Sequence, residues 1–394
     1  MRPLAFAALL ASCATGTSQT RATLDPKQLQ PGQIIVALSS SLGGDLLAVR
    51  RALAADYGVV EAGNFLLGSV ALECVVFQAP AGAPLPGLVE RMNRDPRVRL
   101  AQANQVFHGE GQEPALSYGA PQIRADAARR SKTGKGIRVA VIDTGVSVAH
   151  PALKDRIALV QNFVEGGEAS FARDLHGTAV AGVIVARRDD RVGMLGIAPD
   201  AGILAIKACW YARGRGKALC SSWTLAKAID FAVGRGAQVL NLSLTGPDDE
   251  LLRLLIGKAQ ERGIVVVAAA AEGAKDPGFP ASLPGVIAVV ASDARGEARL
   301  PGWAARTFAM VAPGVDVLST VPGDGYDFLS GSSFAAAHVS GVVALLLEEN
   351  PRLTAAAALD LLEATSRPLP GSSRAGLIDA CAALGRLMGA GSCP

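Results

Sequence analysis

The stretch GSSFAAAHVSG, residues 331–341, places Ser333 on a tight turn at the start of a long apolar run, residues 336–347. This pattern predicts a serine in the first turn of a buried helix. A helix N-terminus has unpaired backbone N–H groups and a partial positive charge. A serine oxygen there can attack a carbonyl while those groups receive the developing negative charge. The same residues are also typical of an ordinary helix cap, so the rest of the chain must decide between the two.

A nucleophilic serine requires a histidine as base and a carboxylate that orients the imidazole. The chain has four histidines. His108 and His150 lie in Gly- and Pro-rich stretches that we expect to be exposed. His338 falls in the same helix as Ser333, too close in sequence to face back at it easily. His176 stands where a polar loop enters a helix of small residues, and it is the predicted base.

The carboxylate candidate is Asp143, which follows the apolar run of residues 137–142 and precedes Thr144 and Gly145. A carboxylate at the end of a buried strand is costly without a partner, and this edge of a parallel sheet is where ligand sites form. In isolation, a strand-end Asx turn is the alternative. Asp-Thr-Gly also occurs in aspartic proteases, which need two such carboxylates, but the sequence has no second Asp-Thr-Gly or Asp-Ser-Gly.

Three segments resemble the signatures of subtilisin-like serine proteases: VIDTGV at 141–146, HGT at 176–178 and GSSFAAAHVSG at 331–341. The resemblance extends from about residue 118 to residue 387. It implies that Ser333 is the nucleophile, His176 the general base and Asp143 the residue that orients the imidazole, in the acid, base, nucleophile order of that family. An α/β-hydrolase is not favoured, because its acid and histidine follow the serine.

The chain beyond residue 117 alternates apolar strands with amphipathic helices. Strands are predicted at residues 137–142, 202–208, 238–244, 264–269 and 286–291. Such alternation predicts an α/β domain in which a parallel sheet with right-handed crossovers carries helices on both faces. The resemblance implies the same three-layer domain over residues 117–394, with the catalytic residues along one rim of the sheet.

Residues 31–108 show the pattern strand, helix, short strand, strand, helix, strand. This order predicts a small α+β, ferredoxin-like domain. In front of a subtilisin-like domain it resembles the family's inhibitory propeptide, which blocks the active site until it is cleaved. We therefore expect a zymogen whose own propeptide is an intramolecular inhibitor. An exposed linker at 108–114 and cleavage between residues 107 and 118 are expected.

Residues 1–12 form a short leader, basic and then apolar, and predict a signal peptide. LASC at residues 10–13 resembles a bacterial lipobox, in which Cys13 is lipidated; a plain secretory peptide is the alternative. Residues 13–30, rich in Thr, Ser and Gln, are then a tether. We expect a protein of the bacterial cell envelope, lipid-anchored in the periplasm or outer membrane, or a secreted one. The net charge of +3 indicates no nucleic-acid partner.

Six cysteines fit an oxidising compartment. Cys209 and Cys220 bracket a polar, Gly/Arg-rich loop, and Cys381 and Cys393 bracket the C-terminal segment, so two local disulfides are predicted. Each closes a loop of roughly a dozen residues and stabilises the fold by about 2–3 kcal/mol through loop entropy. Cys74 has no obvious partner and is expected to be a buried thiol.

The oxyanion region departs from the family pattern. Subtilisin-like enzymes usually follow this run of alanines with Gly-Asn, and the asparagine donates a hydrogen bond to the oxyanion. This chain reads VAAAAEG at residues 267–273, which puts Ala271 or Glu272 in that place. In subtilisin, losing this donor costs about 10²–10³ in rate. A second hypothesis is therefore a weakened or inactive protease-fold envelope protein that acts by binding.

The resemblance also implies candidate substrate-binding residues: Ser243, Leu244, Thr245, Ala269 and Ala270. Where the family places glycines beside the primary specificity pocket, this chain has Thr245 and the two alanines. Extra methyl groups narrow a pocket, so we expect a preference for small residues before the scissile bond of protein or peptide substrates. No cofactor is expected. Calcium is frequent in the family, but no Asp-rich loop is strong enough to assign a metal site.

Overall fold

The computed structural model describes residues 32–39, 45–67, 70, 72–104, 117–212, 216, 218–271, 273, 275–370, 372, 374–390 and 393. The predicted signal peptide, Cys13, the tether, His108 with its linker and Glu272 lie outside these residues. The chain divides into two compact units, Met1–Gly111 and Gln112–Pro394. The boundary between them falls within the predicted linker.

In its described residues, the N-terminal unit is an antiparallel four-stranded sheet with two helices. Its elements are β1 (Gln33–Ser39), α1 (Leu46–Tyr57), β2 (Val60–Leu67), β3 (Leu72–Gln78), α2 (Leu85–Asn93) and β4 (Leu100–Ala103). The strands lie side by side in the order β2-β3-β1-β4. Gly58 ends α1 in the left-handed conformation that glycine adopts at low cost. Ile34, Leu53, Phe77 and Met92 are buried in the core of this unit.

The second unit begins with two short helices and continues as alternating strands and helices. Its first half contains α3 (Gly119–Gln122), α4 (Ala125–Ala128), β5 (Arg138–Asp143), β6 (Ile157–Asn162), α5 (Glu168–Phe171), α6 (Leu175–Val185), β7 (Gly202–Lys207), β8 (Cys209–Tyr211), β9 (Ala218–Cys220), α7 (Ser222–Gly234) and β10 (Val239–Leu242). Its second half contains α8 (Glu250–Glu261), β11 (Val265–Ala269), β12 (Ile287–Ser292), β13 (Ala309–Pro313), β14 (Val317–Val321), β15 (Gly325–Leu329), α9 (Ser332–Glu349), α10 (Ala355–Thr365), β16 (Arg367–Pro368), β17 (Ala375–Leu377) and α11 (Ala380–Leu387).

Within the described part of this unit, the main sheet has nine strands in the order β16-β17-β13-β12-β11-β10-β5-β7-β6. All neighbours are parallel except β16 and β17. The α/β parallel-sheet class is therefore confirmed. The five predicted strands are consecutive in this sheet, as β12-β11-β10-β5-β7. The sequence patterns did not predict β6, β13 and β17, which extend the sheet on either side.

Strand β10 ends earlier than its sequence predicts. The apolar pattern continues to residue 244, but the strand ends at Leu242. Ser243, the next residue, forms two hydrogen bonds with Ser333, one through its hydroxyl and one through its carbonyl. The end of β10 is thus attached to the start of α9, which is buried over most of its length and contacts β10, β11, β12 and β13. No helix in the described ranges is both long and apolar enough to cross a membrane.

Candidate active site

Asp143 and His176 form a direct side-chain pair. Asp143 is the last residue of β5, and His176 is the second residue of α6. The His176 Nδ1 lies 2.8 Å from Asp143 Oδ1 and 2.9 Å from Asp143 Oδ2. Since a carboxylate only accepts hydrogen bonds, Nδ1 carries the proton. The imidazole therefore keeps Nε2 as its basic nitrogen, which is the orientation that general-base catalysis requires.

The pKa of His176 is raised above its ordinary value of 6.5. Burial alone would lower this pKa, because it disfavours the charged imidazolium. The negative charge of Asp143 and its hydrogen bond favour the imidazolium, and together they outweigh burial. The Asp143 side chain is 4% exposed and that of His176 is 25% exposed, so the acid is enclosed while the base remains accessible.

Two glycines allow the turn after Asp143 to pack closely, Gly145 against the end of α5 and Gly177 against the start of the helix that carries His176. A Cβ added to Gly177 would lie 2.6 Å from the carbonyl oxygen of Gly145, and one added to Gly145 would lie 2.1 Å from that of Phe171. Neither position has room for a side chain. The Gly177 N–H also donates to Thr144 Oγ1 at 3.0 Å. The DTG and HGT segments are therefore in direct contact.

A buried ion pair lies beside the loop that leads into His176. Lys207 Nζ donates to Asp174 Oδ2 at 2.5 Å, and the side chains are 0% and 6% exposed. The same Asp174 oxygen accepts the Gly145 N–H at 2.9 Å, and Lys207 also donates to the Cys209 carbonyl at 3.0 Å. These bonds connect β7, the turn after β5 and the start of α6.

Ser333 lies in the first turn of α9, as its sequence predicts. Its hydroxyl donates to the Ser243 carbonyl oxygen at 3.1 Å. Between the described residues Ser333 and His176, the structure records no direct hydrogen bond. The ring of Phe334, the next residue, has its centroid 5.7 Å from that of His176. The helix start is thus beside the Asp143–His176 pair, with the serine hydroxyl turned toward β10.

The other two described histidines have structural roles. His338 is buried, its Nδ1 lies 2.8 Å from the Phe334 carbonyl oxygen, and burial lowers its pKa to about 4. The expectation that His150 is exposed was wrong, since it is 1% exposed. Its Nδ1 accepts the Ala152 N–H at 3.1 Å and caps a short 3₁₀ helix that begins at Pro151. Neither histidine competes with His176 for the role of base.

The candidate substrate-binding residues lie at the ends of β10 and β11. Ser243 is buried, Leu244 is half-buried and Thr245 is exposed. Ala269, the last residue of β11, and Ala270 are buried in the core. Of the three residues predicted to narrow the specificity pocket, Thr245 therefore has the most accessible side chain.

The oxyanion region has an apolar side chain at Ala271. Its backbone N–H donates to the Pro277 carbonyl at 2.8 Å, and its methyl group cannot donate a hydrogen bond. A Cβ added to Gly278 would lie 3.1 Å from the Cβ of Ala271 and 3.7 Å from that of Thr245. The Cβ atoms of Ala271 and Thr245 thus both lie beside Gly278. Glu272, the other candidate, lies outside the described residues.

The structure joins Cys209 to Cys220 and Cys381 to Cys393, and leaves Cys74 as a buried free thiol. The first disulfide closes the hairpin of β8 and β9. No arrangement of three or more His, Cys, Asp or Glu side chains in the described ranges is suited to a metal ion.

Tyr211 is a site residue that the sequence patterns did not indicate. Its hydroxyl accepts the backbone N–H of His176 at 3.1 Å. The two residues are 35 positions apart, and no motif links them. Only its place between the two cysteines of a predicted disulfide could have drawn attention to it.

Comparisons with known proteins identify the family of the second unit. The model of Peptidase_S8, the subtilase family, matches residues 134–384. Subtilisin E of Bacillus subtilis (strain 168) is 35% identical over 300 residues, which cover 72% of this chain and 74% of that protein. Subtilisin of Bacillus pumilus is 36% identical over 66% of this chain and 94% of its own. M-protease of Shouchella clausii (strain KSM-K16) is 35% identical over 68% of each chain.

Proposed function

We propose, from the premise that the chain belongs to the subtilase family and is a subtilisin-like serine endopeptidase, that Asp143, His176 and Ser333 are its catalytic triad. The observation that carries this assignment is the Asp143–His176 pair, whose two contacts at 2.8 and 2.9 Å leave Nε2 basic. Ser333 supports it as a serine at a helix start beside that pair.

In the proposed reaction, the Ser333 hydroxyl leaves the Ser243 carbonyl and donates to Nε2 of His176. The Ser333 oxygen then attacks the peptide carbonyl while His176 takes the proton. His176 gives this proton to the leaving amine, and a water molecule hydrolyses the acyl-enzyme by the same route in reverse. Asp143 stabilises the imidazolium, and the Ser333 backbone N–H receives the oxyanion. No cofactor takes part.

We further propose that the protein is an exported zymogen. Residues 31–108 are the inhibitory propeptide, which is removed by cleavage between residues 107 and 118, and residues 1–12 are the signal peptide. The support is the resemblance of this arrangement to the family and the separate N-terminal unit. Lipid attachment at Cys13, followed by the tether of residues 13–30, places the enzyme in the cell envelope. Loss of radiolabelled palmitate incorporation in Cys13→Ser tests this anchor, and incorporation that persists in the variant contradicts it.

The triad assignment is tested by expressing the chain from Thr15 and following self-cleavage and labelling by a fluorophosphonate probe. We expect the wild type to be cleaved within residues 107–118 and to be labelled. Ser333→Ala should show neither, whereas Ser332→Ala, in the same turn, should be labelled. A wild type that is neither cleaved nor labelled would contradict the proposal and favour a protease-fold protein that acts by binding.

A further inference from the structure

The first turn of α6 lacks its usual side-chain cap. The backbone N–H groups in the first turn of a helix have no intrahelical partner, and an N-cap aspartate often accepts one of them. Asp174 is the N-cap residue here, but its side chain makes no capping hydrogen bond. Its Oδ2 is bound instead by Lys207 Nζ and the Gly145 N–H. The His176 N–H therefore needs another acceptor.

Tyr211 supplies that acceptor from outside the helix. Its hydroxyl oxygen lies 3.1 Å from the His176 backbone nitrogen. Burial raises the pKa of Tyr211, the bond from the His176 N–H lowers it, and the charges of Asp143 and Asp174 raise it, with a net increase. The hydroxyl thus stays neutral near pH 7 and adds no charge beside the imidazole.

The disulfide fixes the position of Tyr211. Strands β8 and β9 have three residues each, and Tyr211 pairs with Ala218 at the far end from the Cys209–Cys220 bond. A hairpin of this length is marginal in water without further support. The disulfide closes its base, and the Lys207 Nζ bond to the Cys209 carbonyl attaches that base to the ion pair beside His176.

We infer that Tyr211 is a positioning residue for His176 and that the Cys209–Cys220 disulfide holds it in place, an inference that rests on the proposed role of His176 as base. Reduction of this disulfide should therefore lower catalysis through Tyr211. Loss of one hydrogen bond that aligns a catalytic group corresponds to a decrease in kcat of about three- to tenfold. Substrate binding should change little, because the bond is made to the enzyme's own backbone.

The test compares full-length Tyr211→Phe, the pair Cys209→Ser with Cys220→Ser, and the combination of all three changes. Titration with the fluorophosphonate gives the concentration of active enzyme, so that unfolded protein does not lower the calculated kcat. Both kcat and KM are measured on one peptide substrate. We expect both changes to lower kcat and to leave KM within about twofold of the wild-type value. The variant with all three substitutions should have a kcat no lower than that of the disulfide variant alone. Tyr326→Phe is the matched control, because its hydroxyl bonds Asp189 at 2.8 Å and no triad residue.

An unchanged kcat in Tyr211→Phe, a change in KM alone, or additive effects of the two changes would overturn the inference. A second readout does not need catalysis. In a Ser333→Ala background, hydrogen exchange at the His176 amide should be at least about tenfold faster with Tyr211→Phe than with Tyr326→Phe. Equal exchange rates would overturn the inference whether or not the wild type reacts with the fluorophosphonate. Failure of the wild type to react would contradict only the proposed function.

Discussion

Ser243 and Ser333 exchange two hydrogen bonds. The Ser333 hydroxyl donates to the Ser243 carbonyl at 3.1 Å, and the Ser243 hydroxyl donates to the Ser333 carbonyl at 3.0 Å. The Ser243 hydroxyl also accepts from Asn241 Nδ2 at 2.9 Å, and Asn241 Oδ1 accepts from the Ser340 hydroxyl at 2.9 Å. A buried amide thus joins the end of β10 to two points on α9 and fixes the backbone that carries the nucleophile.

Replacing either serine next to Asn241 is expected to destabilise the fold. Ser243→Ala and Ser340→Ala each leave one polar group of the fully buried Asn241 without its partner, which costs about 1–3 kcal/mol in the free energy of unfolding. Urea denaturation measures this loss. Only Ser243→Ala should also lower kcat, since only Ser243 bonds Ser333. An equal decrease in kcat for Ser340→Ala would contradict the separate role of Ser243.

The pH dependence of kcat/KM should follow His176. The proposed general base works only when neutral, so activity rises as the pH passes upward through a pKa that lies above 6.5. Asp143→Asn removes the charge that raises this pKa and leaves burial, which lowers it. The acid limb should therefore move to lower pH, and kcat should fall by about 10⁴ because the amide favours the wrong tautomer. Rate measurements across the pH range test both effects, and an acid limb that does not move would contradict the role of Asp143.

Removing only one partner of the Lys207–Asp174 ion pair should lower the free energy of unfolding. Lys207→Met retains the length of the side chain but leaves the Asp174 carboxylate buried without a countercharge, at a cost of about 3–5 kcal/mol in the free energy of unfolding. Adding Asp174→Asn removes the unpaired charge and should recover part of that loss. Denaturant unfolding of both single variants and the double variant measures the coupling. Additive losses would show that the two side chains do not interact energetically.

The centre of the sheet and the three signature segments could be predicted from the sequence because each depends on local patterns. Strand β11 is a continuous apolar run, β5 contains one at residues 139–142, and Ser333 lies in the first turn of a long buried helix. Strand β6 was missed because it lies at the sheet edge and its residues alternate between half-buried and exposed.

The contacts that hold the site in place could not be predicted, because they connect residues far apart in the chain. Asn241 reaches Ser340 across 99 positions, and Lys207 reaches Asp174 across 33. A lysine at the end of an apolar run is compatible with solvent exposure, yet the fold buries it completely. Only tertiary structure shows which polar groups are paired in the interior.

A side-chain hydrogen-bond donor placed in the oxyanion region should raise kcat. The methyl group of Ala271 cannot donate, so Ala271→Asn should increase kcat, by up to about 10²-fold if the amide reaches the oxyanion. KM should stay nearly constant, because the bond forms only in the transition state. Ala271→Leu is the control for size without a donor. Because Glu272 is the other candidate for this place, Glu272→Asn is measured in parallel, and no gain from either asparagine would contradict the idea that a missing donor limits the enzyme.

The primary specificity pocket should widen when Thr245 is shortened. Thr245 is exposed, and it is one of the residues that the resemblance places beside this pocket. Thr245→Gly removes the side chain proposed to narrow it, so kcat/KM for substrates with Leu or Phe before the scissile bond should rise by about tenfold relative to Ala. Thr245→Ser, which loses one methyl group, should give a smaller shift. Peptide-library profiling measures these preferences, and a wild-type profile dominated by Phe or Tyr would contradict the narrow pocket.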